Sequence, residues 1–459
     1  MADTRPVRLT AVKVIQLVFT IFTLRKMMTE TRLTHTGELT ATWVAAYSGK
    51  TSNYCWRRLI TGMMKAIAQK ATLLMAVLCS LAPQQVWAQA NDSIPFIYHG
   101  HLYIHSIIND SIHCNAIFDT GAANMFGVDS VFLEQSDWHP KQFANAYTSG
   151  VAGKTKVRII TDWTKVNIGN IEDHYAFVPI FKLRDVVDCH IDGIWGIKNI
   201  ADYPFEINFE HSYLKQHKAG IPNLDGYQKL PIRYENDKIM LQAETHIGGT
   251  VVKGWYLMDT GGGSSVDFTA KAVKDYRLEE VPGKRYIEDM TQMGIGDKEQ
   301  EWFVNMQSDM IVIGNDTIRK ESISYFPEGE GAISDRPYLG IIGNNIWSNY
   351  NMILDVRDSL LWIRRFKPDN PPGPFYDFGF RNRTDICRGW IVSRLTRDGD
   401  AVGGGMQLGD TIIAVNGRSV ADYTWDEEYS IEDNPLLHLD LVGADGKEKH
   451  IVLESKEWW

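Results

Sequence analysis

The sequence predicts an all-β chain: two pseudo-symmetric β lobes that form a cleft, followed by a small β-rich domain. Three observations predict it. After Ala90, short apolar or alternating runs (Phe96-Ile97-Tyr98, Leu102-Tyr103-Ile104, Ile107-Ile108, Ala116-Ile117-Phe118) are broken by Gly, Asn and Asp. That is the spacing of strands and tight turns. No amphipathic helical pattern longer than a few turns occurs between 91 and 459. A set of short motifs also recurs in order later in the chain, the mark of an internal duplication.

The first 90 residues read as leader rather than fold. They carry 11 Lys/Arg against 3 Asp/Glu, whereas the rest of the chain carries 36 against 54. From Met64 a basic stretch, an apolar run from Ala71 to Ala82 and Ala88-Gln89-Ala90 form the n-region, h-region and cleavage site of a signal peptide, at about 64–90. The apolar run is too short to span a bilayer comfortably, so no transmembrane anchor is expected after cleavage. Cys79 admits a lipoprotein reading, although Leu78 is large for the residue before a lipidated cysteine. Residues 1–63 are either an over-extended start or a leader that uses Val14–Leu24. Export predicts an extracytoplasmic protein, whether periplasmic, cell-surface or secreted. The acidic body repels phosphate backbones, which argues against nucleic acid as a partner.

The duplication defines the next two segments. Ile117-Phe118-Asp119-Thr120-Gly121 returns as Leu257-Met258-Asp259-Thr260-Gly261, 140 positions on. Ile168-Gly169-Asn170 returns as Ile313-Gly314-Asn315 after 145, and Ile194-Trp195-Gly196 as Ile341-Ile342-Gly343 after 147. Beyond those glycines the register holds, with Phe205 on Met352, Asn208 on Asp355 and Leu214 on Leu361. Two lobes at 91–220 and 221–367, related by an approximate two-fold axis, bring the two Asp-Thr-Gly turns face to face. A Pro-rich linker at 368–374 follows. Residues 375–459 form the last domain, with strands at Gly389–Leu395, Thr411–Val415, Leu436–Val442 and Lys449–Glu454.

Each of the two aspartates ends an apolar strand and precedes Thr-Gly, so the strand carries the carboxylate out of the core to a cleft floor. Two carboxylates about 3 Å apart cannot both ionise and share one proton. One then deprotonates a water while the other protonates a carbonyl oxygen. This chemistry needs no cofactor and no metal.

These motifs resemble the active-site loops of pepsin-like and retropepsin-like aspartic peptidases. Asp119-Thr-Gly-Ala-Ala-Asn-Met-Phe is similar to the first loop and Asp259-Thr-Gly-Gly-Gly-Ser-Ser to the second. Asp192–Gly196 and Gly340–Gly343 resemble the segments packed behind those loops, with Asp355 twelve residues past the second glycine. The resemblance implies an endopeptidase acting on peptide or protein substrates. Asp119 and Asp259 would be catalytic, and Thr120, Gly121, Thr260 and Gly261 would support the loops. It also places substrate-covering hairpins near Thr148–Thr155 and Thr291–Lys298. The residue after each Asp-Thr-Gly, often a hydroxyl residue in pepsins, is Ala122 in one loop and Gly262 in the other. A carboxylate without that hydrogen bond has a higher pKa, so the expected pH optimum is less acid than a gastric pepsin's.

The last domain resembles a bacterial protease-associated PDZ domain through Gly389–Ser393 and Met406–Gly417. That resemblance implies a C-terminal peptide ligand added as an edge strand near Arg388, Gly389, Trp390 and Ile391. A different class of reading makes the chain an inactive extracytoplasmic peptide-binding protein working through this domain. His99, His101, His105 and His113 read as solvent-facing strand residues rather than metal ligands, since no carboxylate or cysteine spacing supports a metal site. Trp458 and Trp459 either pack on the last domain or serve as a carboxyl-terminal ligand for another copy.

Overall fold

The computed structural model describes residues 92–459 apart from 123, 152, 199, 293, 297, 298, 328, 330, 335, 369–375, 386–388 and 459. The expected leader and signal peptide, the linker after Pro368, and Cys387, Arg388 and Trp459 therefore lie outside the described residues.

The body is built mainly of strands. A first series runs β1 (Ser93–His99), β2 (His101–Ile108), β3 (Ile112–Phe118), β4 (Phe126–Asp129), β5 (Phe143–Gly150), β6 (Gly153–Ile160), β7 (Thr164–Ile168), β8 (Ile171–Tyr175), β9 (Val178–Phe181), β10 (Gly193–Trp195), β11 (Phe205–Asn208) and β12 (Tyr213–Gln216). A second series runs β13 (Gln228–Glu235), β14 (Lys238–Ile247), β15 (Thr250–Met258), β16 (Val266–Phe268), β17 (Arg285–Gln292), β18 (Glu299–Gln307), β19 (Met310–Ile313), β20 (Asp316–Arg319), β21 (Ser322–Tyr325), β22 (Gly340–Ile342), β23 (Tyr350–Asp355) and β24 (Leu360–Arg365).

Pairings in the first series recur twelve strands later. β3 lies parallel to β10, with Ile117 beside Ile194, and β15 lies parallel to β22, with Leu257 beside Ile341. β4 is antiparallel to β10 and parallel to β9, and β16 stands in the same way to β22 and β21. The hairpin β5–β6 corresponds to β17–β18, and each packs an edge on β9 or β21. The recurring Ile-Gly-Asn motifs are the tight turns of β7–β8 and β19–β20, where Gly169 and Gly314 have φ of 57° and 59°. That left-handed conformation is why glycine stands in both turns.

The halves join through β11 and β23, which pair antiparallel from Phe205 beside Leu354 to Asn208 beside Asn351. β12 and β1 extend this sheet on one side, and β24 and β13 on the other. Strand alternation sends Phe118, Trp195 and Phe205 into the first half's core, with Phe118 centred 5.3 Å from Trp195 and 5.6 Å from Phe205. The helices are short, the longest in the two halves being Ala270–Tyr276 among the described residues. No helix among them is long and apolar enough to cross a membrane.

The C-terminal segment contains β25 (Tyr376–Asp377), β26 (Phe380–Asp385), β27 (Gly389–Thr396), β28 (Thr411–Val415), β29 (Arg418–Ser419), β30 (Leu436–Val442), β31 (Glu448–Glu454) and β32 (Lys456–Glu457). The four strands expected here are present, with end shifts of one residue at most. Phe378, Trp390, Val392, Ile412, Leu437, Leu439, Leu441 and Leu453 belong to a core of its own. It is also stitched to the second half. β27 pairs antiparallel with β17, from Glu288 beside Thr396 to Met290 beside Arg394, and Arg397 grips Asp289 at 2.8–3.1 Å. Trp458 packs inward, its ring 5.0 Å from Tyr286 and its Nε1–H donating to the Asp377 carbonyl at 3.4 Å.

Candidate active site

The two Asp-Thr-Gly turns meet where the halves join. β3 runs buried through Ala116, Ile117 and Phe118, and β15 through Tyr256, Leu257 and Met258; each ends on a partly exposed aspartate. The Asp119 N–H donates to the Trp195 carbonyl at 2.9 Å, and the Asp259 N–H to the Ile342 carbonyl at 3.0 Å. The recurring motifs behind the turns thus anchor both carboxylates in equivalent ways.

Thr120 and Thr260 bind each other reciprocally. The Thr120 N–H donates to Thr260 Oγ1 at 3.0 Å, and the Thr260 N–H donates to Thr120 Oγ1 at 3.0 Å. Each hydroxyl then donates across the junction, Thr120 to the Met258 carbonyl at 3.0 Å and Thr260 to the Phe118 carbonyl at 3.1 Å. Both threonines are buried, and the N–H and hydroxyl of each have partners.

This lattice presses the carboxylates together, and Asp119 and Asp259 are hydrogen-bonded to each other. The Gly121 N–H donates to Asp119 Oδ1 at 2.6 Å and the Gly261 N–H to Asp259 Oδ1 at 2.8 Å. A Cβ on Gly261 would stand 2.3 Å from Asp119 Cγ, and one on Gly121 3.0 Å from Asp259 Cγ. Only glycine permits so close an approach of each turn to the opposing carboxylate. Burial, then the charge of Asp259, holds the Asp119 carboxyl well above the usual carboxylate range; the Lys238 ammonium opposes them.

Two basic side chains cross the junction, and nothing in the sequence marked either. Lys238, the first residue of β14, donates from Nζ to the Gly121 carbonyl. His101, the first residue of β2, is hydrogen-bonded to the Gly261 backbone. They are pseudo-symmetry mates, each reaching the other half's glycine. Burial keeps the His101 pKa low against the pull of Asp188 and Asp259. Asn344 adds a brace to the second turn alone, donating to the Thr260 carbonyl at 2.7 Å and to the Gly100 carbonyl at 2.9 Å.

The hairpins expected around Thr148–Thr155 and Thr291–Lys298 are β5–β6 and β17–β18. Their tips touch: a Cβ on Gly150 would lie 2.1 Å from the Ile295 carbonyl oxygen. Val151 packs on the second half's apolar cluster and Ile295 on the first half's. Each tip therefore crosses to the opposite side.

Other expectations fare differently. His105 and His113 form an exposed pair at 2.9 Å, but His99 and His101 do not face solvent as expected. His101 stands at the site, and His99 lies under Trp425 and Tyr429, ring centroids 4.5 and 4.6 Å away. Gly389, Trp390 and Ile391 do not form an open edge. Trp390 pairs with Thr384 on one side and Ile412 on the other, Ile391 with Arg383 and Thr411, and both side chains are buried. An added ligand strand finds both sides of that segment occupied. Cys114 and Cys189 are free thiols. Among the described residues, no group of three or more His, Cys, Asp or Glu is placed to hold a metal ion.

No protein-family model matches the chain, and no curated protein matches its sequence.

Proposed function

We propose that the chain is an aspartic endopeptidase of the pepsin-like and retropepsin-like kind, with Asp119 and Asp259 as its acid–base pair. The observation that carries this reading is the reciprocal Thr120–Thr260 lattice, which holds two partly exposed aspartates in hydrogen-bonding contact at a junction of matching halves. The raised pKa of Asp119 makes it the carrier of the shared proton. Asp259 takes a proton from water as the water oxygen bonds to the scissile carbonyl carbon, and Asp119 gives its proton to the carbonyl oxygen. The tetrahedral diol then collapses: the C–N bond breaks, the leaving nitrogen takes the proton held by Asp259, and a diol hydroxyl returns its proton to Asp119, leaving a carboxylic acid and an amine. In this reading the two hairpins with touching tips cover the cleft and must part to admit an extended peptide.

The C-terminal segment is proposed as a PDZ-like domain that recruits peptides or regulates access. Its contacts to both halves support a regulatory role. The Met64–Ala90 pattern supports an extracytoplasmic location. The test is turnover of a fluorogenic peptide library from pH 3 to 8 by the full chain, Asp119→Asn and Asp259→Asn. Turnover lost in both variants is expected. Cleavage surviving in either removes the dyad, and a folded protein that cleaves nothing returns the weight to an inactive peptide-binding protein.

A further inference from the structure

The helix Trp425–Tyr429 of the C-terminal segment contributes no buried residue, and neither Trp425 nor Tyr429 belongs to that segment's core. Its aromatic side chains reach the first half instead. The Trp425 ring stacks on His190 at 4.3 Å, lies 4.5 Å from His99 and meets Tyr103 edge-on at 4.7 Å. Tyr429 stacks on His99 at 4.6 Å and points its hydroxyl at Asp188, 3.5 Å away. Asp426 reaches His99 at 3.0 Å, and Glu428 faces His190 at 3.9 Å.

The surface beneath Trp425 adjoins the Asp119 turn. Trp425 packs against a cluster that holds Tyr103, Ile117, Ala122, Val157 and Ile194. Ile117 stands two residues before Asp119, Ala122 follows the same turn, and Val157 comes from the covering hairpin β5–β6. Ile295, from the tip of the opposite hairpin, packs on the same cluster. Strand alternation explains the face: Phe118 enters the core while Ile117 and Ile194 turn toward the hairpin. The equivalent wall of the second half, around Leu257 and Ile341, holds Phe326, Ile333 and Tyr338 of its own half and takes Val151 from the opposite hairpin. The first wall likewise holds Phe181, Leu183 and Ile191 of its own half, and Trp425 of the C-terminal segment packs on this wall and not on the other. Trp425 Nε1 has no hydrogen-bond partner there, so the indole is held by ring contacts and apolar packing.

We infer that Trp425 is a tethered stand-in for a substrate side chain. The pocket of His99, Tyr103, Ile117, His190 and Ile194 accepts an aromatic residue of a peptide, and in this state the C-terminal segment fills it. Reading the pocket as a substrate subsite rests on the peptidase proposal; its occupation by Trp425 does not. A peptide gains the pocket only when the helix lifts, so the apparent affinity of one that uses it is reduced by the fraction of molecules in which the helix is docked, whereas a peptide that leaves the pocket empty is unaffected.

The test is fluorescence anisotropy of two labelled peptides, identical except for Trp or Ala at one central position, on the full chain carrying Asp119→Asn to silence cleavage. Adding Trp425→Ala is expected to tighten the Trp peptide at least about tenfold and leave the Ala peptide unchanged, whereas Trp425→Phe keeps the mask. Asp426→Lys, at an exposed position on the same helix, is expected to shift affinity in the same direction by less, which covers a Trp425→Ala chain that fails to fold. Equal affinity with and without the helix changes, or an equal gain for both peptides, overturns the inference. Turnover by chains with the native dyad separates the two proposals. Tighter Trp-peptide binding in a chain that cleaves nothing keeps the pocket and removes the peptidase. Cleavage that Trp425→Ala leaves unchanged keeps the peptidase and removes the mask.

Discussion

The two halves share a backbone plan but not a chemistry. Pairings recur twelve strands apart, and both turns present the same Asp-Thr-Gly with the same reciprocal hydrogen bonds. Around this shared centre the mates differ. Lys238 faces the first turn where His101 faces the second, Asn344 braces only the second turn, and Ala122 stands opposite Gly262. One wall takes in Trp425 from the C-terminal segment and the other does not. Ladder hydrogen bonds and turn geometry constrain every strand pair alike, so duplication preserves them. The side chains at the junction are free of that constraint and have diverged.

The largest expected effect lies at the shared centre. Asp119→Asn and Asp259→Asn should each lower kcat/KM by at least about 100-fold, the scale of a lost acid–base group. They should part in stability. A carboxyl whose folded pKa is raised contributes stability that is full below its unfolded pKa and lost as pH rises through the folded one. Asp119→Asn removes that loss, so thermal melts should show it more stable than the parent by a few degrees at pH 7 and about equal at pH 3.5. A destabilised Asp119→Asn at pH 7 would assign the raised pKa to the wrong group.

The threonines should show symmetry. Thr120→Val or Thr260→Val leaves one buried N–H and one carbonyl without a partner, a cost of about 2–6 kcal/mol in urea unfolding from about 1–3 kcal/mol per orphaned group. Because the bonds are reciprocal, the two costs should agree within about 1 kcal/mol. A large difference would mean that one turn is held mainly by other contacts, with Asn344 the first suspect.

Lys238 and His101 should break the symmetry. Lys238 is the cation that opposes the raised pKa of Asp119, which also faces Asp259 and the Gly121 N–H. Lys238→Met removes the lowering influence together with the bond to the Gly121 carbonyl, so Asp119 keeps its proton to higher pH and the alkaline limb of kcat/KM moves upward, while Lys238→Arg restores it. His101 faces Asp259 and the Gly261 backbone, with Asp188 and Arg394 nearby, and burial keeps it neutral near pH 7. His101→Gln should therefore leave that limb in place.

Much of this comparison was legible in the sequence. Asp-Thr-Gly, Ile-Gly-Asn and the glycines behind the turns recur because they sit where the backbone tolerates little else. The junction residues were not legible. Lys238 and His101 differ in identity and stand 137 apart, outside the 140–147 offsets of the motifs, so no repeat betrayed them. His99 and His101 read as solvent-facing because alternation along a strand tells which face a residue takes but not what covers that face. The helix carrying Trp425 is five residues long, too short for a periodic signal, and its contact is made with another part of the chain.

The smallest expected effect concerns the missing hydroxyl. A Cβ on Gly262 would lie 3.9 Å from Asp259 Oδ2, an ordinary contact that leaves a serine room without displacing the turn. Its hydroxyl, one bond further out, comes within hydrogen-bonding reach of the carboxylate. A hydrogen bond to the charged form favours ionisation, so Gly262→Ser should move the acid limb of kcat/KM to lower pH, by about one unit or less. Ala122→Ser is the control from the other half: Ala122 is buried, and the Gly196 backbone packs against it. A hydroxyl there is added against a filled contact, and the strain should cost stability without the same shift. If both serines shift the limb equally, the two halves are chemically more alike than Lys238, His101 and Asn344 make them, and the missing hydroxyl alone sets the working pH.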